Sequence, residues 1–222
     1  MKIGVLGTGM VGQRIADALV AKEHEVRMGS RTADNERAAE FVRRAGARAS
    51  SGTFADAAAF GEWVFNCTAG VASLAALEAA GADKLGTKIL VDLSNPLDLS
   101  QGFPPTLSIV NDDSLGEAIQ RAFPKVRVVK TLNTMSNSIM VDPSQIPGEH
   151  EAFVSGNDPE AKAAVTRFLQ EQFGWRGVID LGDITTCRGT EAWLLLWTRL
   201  YAALGHADFN LHVARAGTGA EG

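Results

Sequence analysis

Three glycines near the start of the chain have the spacing of a phosphate-binding loop. Gly7, Gly9 and Gly12 form the pattern G-x-G-x-x-G between an apolar run at 2–6 and a helical pattern at 13–21. In a dinucleotide fold, the first glycine allows a tight turn and the second lets the backbone approach a pyrophosphate. The third lets the helix pack closely on the strand. The free N–H groups of the helix then face the phosphates. Glycines also form ordinary turns, and that interpretation stays open here.

The second predicted strand, at 25–28, is followed by a cationic stretch without a carboxylate. Its residues are Gly29, Ser30, Arg31 and Thr32. A dinucleotide fold that prefers NAD usually carries Asp or Glu here to bind the ribose 2′-OH. Ser30 and Thr32 can instead donate hydrogen bonds to a 2′-phosphate, and Arg31 can bind it through its planar guanidinium. The stretch favours NADP as the cofactor, although an exposed arginine after a strand is also an ordinary feature.

Three more loops follow predicted buried strands, at 68–70, 94–96 and 133–135. Ligands of open parallel sheets bind outside the carboxyl ends of the strands. The small residues of the first loop would let ribose and nicotinamide pass close to the backbone. The amides and hydroxyls of the other two, Asn95 and Asn133 among them, could bond a carboxamide. Turns use the same residue types, so this alternative stays open.

Strand and helix patterns alternate along nearly all of the 222 residues. This alternation is typical of an α/β fold, a Rossmann-like doubly wound and mostly parallel sheet with helices on both faces. We predict an NADP-binding domain over 1–182. A short C-terminal helical segment and tail follow over 183–222, with the helix at 190–204 and a loose tail at 217–222. An irregular stretch at 94–114 is long enough to be a binding loop.

Composition excludes several classes of function. The net charge of −5 argues against nucleic acid as a partner. We expect no membrane span and no signal peptide, and therefore a cytoplasmic protein, because the chain has no long apolar run and its first strand starts at residue 2. Cys67 and Cys187 lie far apart, which indicates reduced thiols and neither a disulfide framework nor a metal site.

We predict no catalytic acid or base. Asp92 is expected to have a buried hydrogen-bonding role. Direct hydride transfer between two redox rings needs positioning and exclusion of water more than a proton-transfer residue. The C-terminal helix carries Trp193, Trp197 and Tyr201, which could form a homodimer interface or pack on the sheet. The histidines are expected on the surface or in packing roles, and they are His24, His150, His206 and His212.

With GTGMVG at 7–12, GSR at 29–31 and KTLNTM at 130–135, the chain resembles the NADPH-dependent reductases of the deazaflavin coenzyme F420. It is also similar to the related reductase domains of metal-reducing membrane proteins. The resemblance extends to about residue 212. It implies hydride transfer between NADP(H) and a deazaflavin or flavin-like small-molecule acceptor. The acceptor would stack on the nicotinamide in a pocket closed partly by the C-terminal helices and by a second subunit.

The resemblance also assigns roles to residues. It implies that Thr8, Gly9, Met10 and Val11 bind the pyrophosphate and that Ser30 and Arg31 bind the 2′-phosphate. Ala69, Gly70, Met135 and Ser136 would flank the nicotinamide. Asn35 stands where the family often has a basic residue, and the loop at 67–70 lacks the family's frequent proline. The complete set of predicted cofactor-binding residues is Gly7, Thr8, Gly9, Met10, Val11, Gly12, Ser30, Arg31, Thr32, Asn35, Thr68, Ala69, Gly70, Leu74, Asn95, Asn133, Met135 and Ser136.

Two other functions stay open. An imine or β-hydroxyacid reductase of related architecture usually carries a large helical domain with a catalytic lysine, and the segment after residue 181 is short and contains no lysine. A redox-sensing protein would hold NADPH without turnover. An open pocket above the nicotinamide would distinguish an enzyme from such a sensor.

Overall fold

The computed structural model describes residues 1–216. Eight strands form the main sheet and two short strands form a separate hairpin. In chain order the strands are β1 (Lys2–Leu6), β2 (Glu25–Ser30), β3 (Ala49–Thr53), β4 (Trp63–Asn66), β5 (Ile89–Asp92), β6 (Leu97–Asp98), β7 (Thr106–Leu107), β8 (Arg127–Thr131), β9 (Glu151–Ser155) and β10 (Gly177–Gly182).

Nine α-helices connect or cover these strands within the described residues. They are α1 (Met10–Ala21), α2 (Glu36–Ala45), α3 (Phe54–Phe60), α4 (Gly70–Ala80), α5 (Ala82–Leu85), α6 (Leu115–Ala122), α7 (Asn137–Val141), α8 (Pro159–Phe168) and α9 (Cys187–Leu204). A π-helical turn, Leu169–Phe173, extends α8. Short 3-10 turns lie at Gly46–Arg48, Pro143–Gln145 and Ile184–Thr186.

The main sheet has the strand order β3-β2-β1-β4-β5-β8-β9-β10. All neighbouring strands are parallel except β8 and β9, which are antiparallel. The strand order reverses between β1 and β4, which places the switch point at the loops following those two strands. The predicted doubly wound, mostly parallel sheet is confirmed.

The core lies on both faces of the sheet. One cluster of buried residues includes Ile3, Val5 and Phe65, and the other includes Leu6, Val64 and Leu90. Because successive side chains of a strand point to opposite faces, a strand buried on both sides reads as a continuous apolar run. This explains why the run at 2–6 was recognisable as a strand.

Local signals set several helix ends. Thr53 and Asp56 form a capping box at the start of α3, in which each side chain accepts from the other residue's backbone N–H. Gly46 ends α2 with φ at 78°, a backbone conformation that glycine adopts without strain. A side-chain cap and a glycine thus determine these two helix ends locally.

Other predicted boundaries need correction. The stretch at 94–114 contains the β6–β7 hairpin, and α7 follows directly after a loop that was predicted without a helix. Helix α1 begins at Met10, before the predicted residue 13, and α9 begins at Cys187, before residue 190. The first residue of a helix is defined by its backbone geometry. Apolar periodicity alone locates that residue only to within a few positions.

The predicted tail at 217–222 lies outside the described residues. The predicted domain boundary after residue 182 stays a prediction. Among the described helices, none combines the length and the apolar character that crossing a membrane requires.

Candidate functional site

The loops after β1 and β4 touch at the switch point of the sheet. Gly7 has a φ of +110°, and a Cβ placed on it would lie 2.7 Å from the carbonyl oxygen of Cys67. The backbone N–H of Gly7 donates to the carbonyl of Gly29 at the end of β2. Only glycine satisfies both the conformation and the close approach, so Gly7 forms the tight turn that the sequence predicts.

Gly9 and Gly12 differ in what surrounds them. A Cβ on Gly12 would contact the carbonyl oxygen of Gly7 and would lie 2.9 Å from its carbonyl carbon. A Cβ on Gly9 would meet nothing within 4 Å in the described part of the chain. The backbone at Gly9 is extended, with a φ of −76°. Gly12 therefore serves the packing of α1 on the loop, and Gly9 leaves an open space above the backbone.

The helices that follow β1 and β4 lack side-chain caps. Gly9 precedes α1 and Ala69 precedes α4, and neither helix has an acidic residue in its first turn. Both helix starts therefore offer unpaired N–H groups and a positive dipole end to a ligand. Four helices elsewhere are instead capped by a side chain, namely that of Asn35, Thr53, Ser114 or Asp158.

A groove of about 560 Å³ continues from the open space along α1. Thr8, Gly9 and Met10 form one end of it, and Asn137 contributes from α7. Met10 is 80% exposed. The predicted residues of the glycine loop are thus at the surface of a groove, in a place that a dinucleotide could reach.

At the end of β2, Ser30 and Arg31 face different environments. The Ser30 side chain is buried, and its hydroxyl donates to the carbonyl oxygen of Thr32 at 2.6 Å. Arg31 and Thr32 are exposed. The side-chain oxygen of Asn35 accepts from the backbone N–H of Ala38 at 3.1 Å, so it caps α2. Arg31 and Thr32 are therefore the side chains of this stretch that are available to a phosphate.

Three arginines on α1, on α2 and after β2 have no ion pair with any residue from 1 to 216. They are Arg14 on α1, Arg31, and Arg37 on α2. In contrast, Arg44, which also lines the groove, pairs with Asp17 at 2.8 Å. The cationic groups nearest to the glycine loop thus remain free to bind an anion.

The loops after β5 and β8 are joined by two amide side chains. Asn95 donates through Nδ2 to the carbonyl oxygen of Asn133 at 2.8 Å, and Asn133 donates through Nδ2 to Oδ1 of Asn95 at 2.9 Å. Gly70 packs beneath this pair, because a Cβ there would contact the carbonyl oxygen of Asn95. These two hydrogen bonds, which we call the Asn95–Asn133 clasp, use both amide groups and hold the two loops together.

The other predicted residues on this side lie partly inside the protein. Met135 is 5% exposed and belongs to the core, and Ser136 immediately precedes α7. The Thr68 hydroxyl donates inward to Oδ1 of Asn66 at 2.7 Å, whereas Ala69 is exposed. Leu74 on α4 is partly buried against the core. The structure thus brings these residues to one edge of the sheet, with backbone and small side chains at its surface.

A buried charge network lies directly behind this edge. The ammonium of Lys130 is 2.6 Å from Oδ2 of Asp92 and 2.8 Å from Oε1 of Glu191. Burial alone disfavours the charged lysine, yet the two carboxylates outweigh it and raise the pKa of Lys130. Asp92 has the buried hydrogen-bonding role that was predicted for it. Lys130 and Glu191 were not predicted.

A signal for this network was present in the sequence. Asp92 and Lys130 are charged residues at the ends of apolar strands, and Glu191 is an isolated acid in an apolar helix. Buried charges occur in pairs or networks, so three of them in apolar segments predict one another. The sequence could not show which element carried the third member, because Glu191 lies far along the chain.

The site offers no reactive thiolate. Both cysteines are buried and free. Burial raises the pKa of the Cys67 thiol, and it raises the pKa of Cys187 to about 12. Within the described residues, no group of three or more His, Cys, Asp or Glu is arranged to hold a metal ion.

Comparison with known proteins agrees with this geometry. A family model described as "NADP oxidoreductase coenzyme F420-dependent" matches residues 2–96. The crystal structure of a candidate F420-dependent NADP-reductase from Arthrobacter sp. FB24 is 52% identical and superimposes with a TM-score of 0.92. The match covers 97% of this chain and 100% of that protein. The chain belongs to the family of F420-dependent NADP oxidoreductases. It is an NADP-dependent oxidoreductase.

Two more distant proteins are also similar to this oxidoreductase. Metalloreductase STEAP3 from Rattus norvegicus is 28% identical over 197 residues, and the matched region covers 86% of this chain but 36% of that protein. The chain thus spans about a third of the length of this curated relative. A reductive aminase from Aspergillus terreus, crystallised with NADPH and ethyl levulinate, is 19% identical with a TM-score of 0.67. That match covers 93% of this chain and 64% of the aminase, and it shows the fold alone.

Proposed function

We propose that this oxidoreductase transfers a hydride between NADP(H) and coenzyme F420 or a flavin-like acceptor, and that it prefers NADP(H) to NAD(H). One observation carries the proposal. The open space above Gly9 lies at an uncapped helix start. Its loop is beside the stretch that holds the unpaired Arg31, because the N–H of Gly7 donates to the carbonyl of Gly29. A pyrophosphate fits the first feature and a 2′-phosphate fits the second.

Each part of the site has a defined task in this proposal. The backbone N–H groups at the start of α1 bind the pyrophosphate. Arg31 binds the 2′-phosphate and distinguishes the two dinucleotides. The clasped loops at Asn95 and Asn133 form the surface against which the nicotinamide lies. When bound, the nicotinamide supplies or accepts the hydride, and the protein contributes position and exclusion of water.

The choice of acceptor has two supports. The family and the Arthrobacter protein carry the name of coenzyme F420. In addition, the buried amides and charges of the site already bond one another, so the geometry suits hydride transfer between two rings without a protein acid or base. A flavin has the same requirement.

The cofactor preference is tested by titration calorimetry with NADPH and NADH. We expect NADPH to bind at least about tenfold more tightly, and Arg31→Ala to remove most of that difference. Lys125→Ala is the matched control, because Lys125 is an exposed cation that precedes β8, at the amino end of a strand, whereas Arg31 follows the carboxyl end of β2. Equal dissociation constants of the wild-type protein for the two dinucleotides would contradict the preference.

The acceptor is tested by anaerobic mixing with NADPH and a panel of F420, flavins and ferric complexes. We expect loss of the absorbance of reduced nicotinamide with F420 or a flavin. If only the ferric complexes oxidise NADPH, the proposed acceptor is wrong and a ferric complex takes its place. Tight binding of NADPH without oxidation by any of them would instead support a redox sensor.

The proposal extends to assembly and location. Leu195, Leu196 and Leu204 on α9 are 40%, 52% and 50% exposed, and Tyr201 adds an exposed aromatic ring. We propose that this face joins two copies of the chain in a homodimer, working in the cytoplasm, where the two buried thiols stay reduced. Light scattering at micromolar concentration tests the dimer, and a monomer would contradict it.

A further inference from the structure

The network of Asp92, Lys130 and Glu191 is almost wholly removed from water. The side chains are 0%, 1% and 2% exposed. Lys130 also donates to the carbonyl oxygen of Ser94 at 2.7 Å. One ammonium thus joins the ends of two strands, the loop after β5 and the C-terminal helix.

The two carboxylates leave one negative charge that the lysine does not balance, and neutral donors surround it. Glu191 accepts from the backbone N–H groups of Leu115 and Gly116, the first two residues of α6, at 2.8 and 3.0 Å. Asp92 accepts from Nδ2 of Asn66 at 2.8 Å and from the hydroxyl of Ser94 at 2.7 Å. The positive end of α6 favours the carboxylate of Glu191 further.

Stability alone does not explain such a network. Well-packed apolar residues often replace a buried ion pair without loss of stability, because removing charges from water is costly. The location gives a better reason. Ser94, which Lys130 holds, adjoins Asn95 of the clasp. Glu191 lies two residues before Trp193, whose indole N–H donates to the carbonyl oxygen of Thr134 at 3.0 Å.

We propose that Asp92, Lys130 and Glu191 are positioning residues for the redox reaction. They fix the loops after β5 and β8 and seat α9 beside them, so that the nicotinamide and its acceptor meet in one geometry. None of the three reaches the surface of the site, so they act through the loops. This inference rests on the proposed function in one respect, namely that these loops flank the nicotinamide.

Glu191→Gln is the most conservative test, because it keeps the volume and replaces one acceptor oxygen by a donor. We expect kcat for NADPH oxidation to fall by about tenfold to a hundredfold, the usual result of a small misplacement. The Kd for NADPH should change by less than about twofold, because the network holds the loops after β5 and β8, whereas the glycine loop and Arg31 follow β1 and β2. Amide hydrogen exchange at 94–95 and 133–136 should become faster.

The chain offers a matched control. Arg188 on α9 pairs with Glu117 on α6, with nitrogen–oxygen distances of 2.6 and 2.9 Å, and it is 39% exposed. Arg188→Gln therefore breaks a second link between the same two helices without touching the loops. We expect wild-type kcat and wild-type exchange in both loops for this variant, even where its melting temperature falls.

The outcomes separate the two claims. Wild-type kcat and loop exchange in Glu191→Gln, or an equal loss in Arg188→Gln, would overturn the positioning role. If Glu191→Gln fails to fold, Asp92→Asn replaces it, and failure of both with a folded Arg188→Gln would assign the network to stability alone. If none of the tested acceptors supports oxidation of NADPH by the wild-type protein, the proposed function fails. Loop exchange in the NADPH complex still decides the positioning role.

Discussion

Alanine substitutions at Gly9 and Gly12 should separate cofactor binding from folding. In Gly12→Ala the new methyl group meets the backbone of Gly7, which cannot move without displacing the loop. Overpacking of this kind costs about 1–3 kcal/mol. For a chain of this length, that corresponds to a fall in melting temperature of roughly 2–4 °C for each kcal/mol.

Gly9→Ala should behave in the opposite way. The methyl group meets no atom of residues 1–216 within 4 Å, and the φ of −76° suits alanine. We therefore expect the unfolding free energy of the apoprotein to change by less than about 0.5 kcal/mol, as for a surface substitution. The methyl group projects into the space assigned to the pyrophosphate. The Kd for NADPH should rise at least about a hundredfold, equivalent to about 2.7 kcal/mol.

The assay combines thermal unfolding of the apoproteins with calorimetric titration of NADPH. Gly46→Ala is unsuitable as a control, because its positive φ would add strain. Gly189→Ala is suitable, since its Cβ likewise meets nothing within 4 Å in the described residues and it lies on α9. Wild-type affinity in Gly9→Ala, or equal destabilisation by the Gly9 and Gly12 substitutions, would refute the reasoning.

Three further predictions follow from other contacts. Asn133→Ala removes the hydrogen bond from Asn133 to Asn95. It should lower kcat about tenfold in steady-state kinetics and leave the Kd for NADPH nearly unchanged in titration. An unchanged kcat would show that the clasp is dispensable. Gly70→Ala should destabilise the protein by about 1–3 kcal/mol in urea unfolding, because its Cβ meets backbone; wild-type stability would show that the loop yields. Desolvation and the N-terminal ammonium lower the pKa of His24 in the folded protein. As the pH falls through about 6.5, His24 therefore takes up its proton more readily in the unfolded state than in the folded state. The free energy of unfolding should fall with the pH over this range. This fall should be smaller in His24→Phe, which keeps a ring against Phe168; an equal fall in both proteins would assign the pH dependence to other groups.

Local patterns were sufficient for most of the fold. The apolar run at 2–6 matches strand β1 in full, and the alternation of strand and helix patterns predicts the mostly parallel sheet that the structure has. The reversal of direction at β9 was not predictable in this way. Parallel and antiparallel neighbours bury the same apolar strand, so the choice depends on long-range packing.

The candidate site divides in the same manner. Gly7, Gly9 and Gly12 lie where their spacing predicts, because each acts through the backbone within a few residues. The hydroxyls of Ser30 and Thr68 are engaged inside the protein by partners that spacing cannot identify. The ion pair between Lys130 and Glu191 joins residues that are far apart in the sequence. Only the folded structure brings such residues together.

The antiparallel junction of the sheet has a mechanical consequence. Strand β8 meets β5 through four registered residue pairs, but it meets β9 through two, Lys130 with Ser155 and Thr131 with Val154. Strands β9 and β10 are therefore attached to the rest of the sheet through a short contact with β8. One of its two residue pairs contains Lys130 of the buried network. A pulling force or a protease that separates β8 from β9 is therefore expected to strain the loop after β8 before the half of the sheet that contains β1 unfolds.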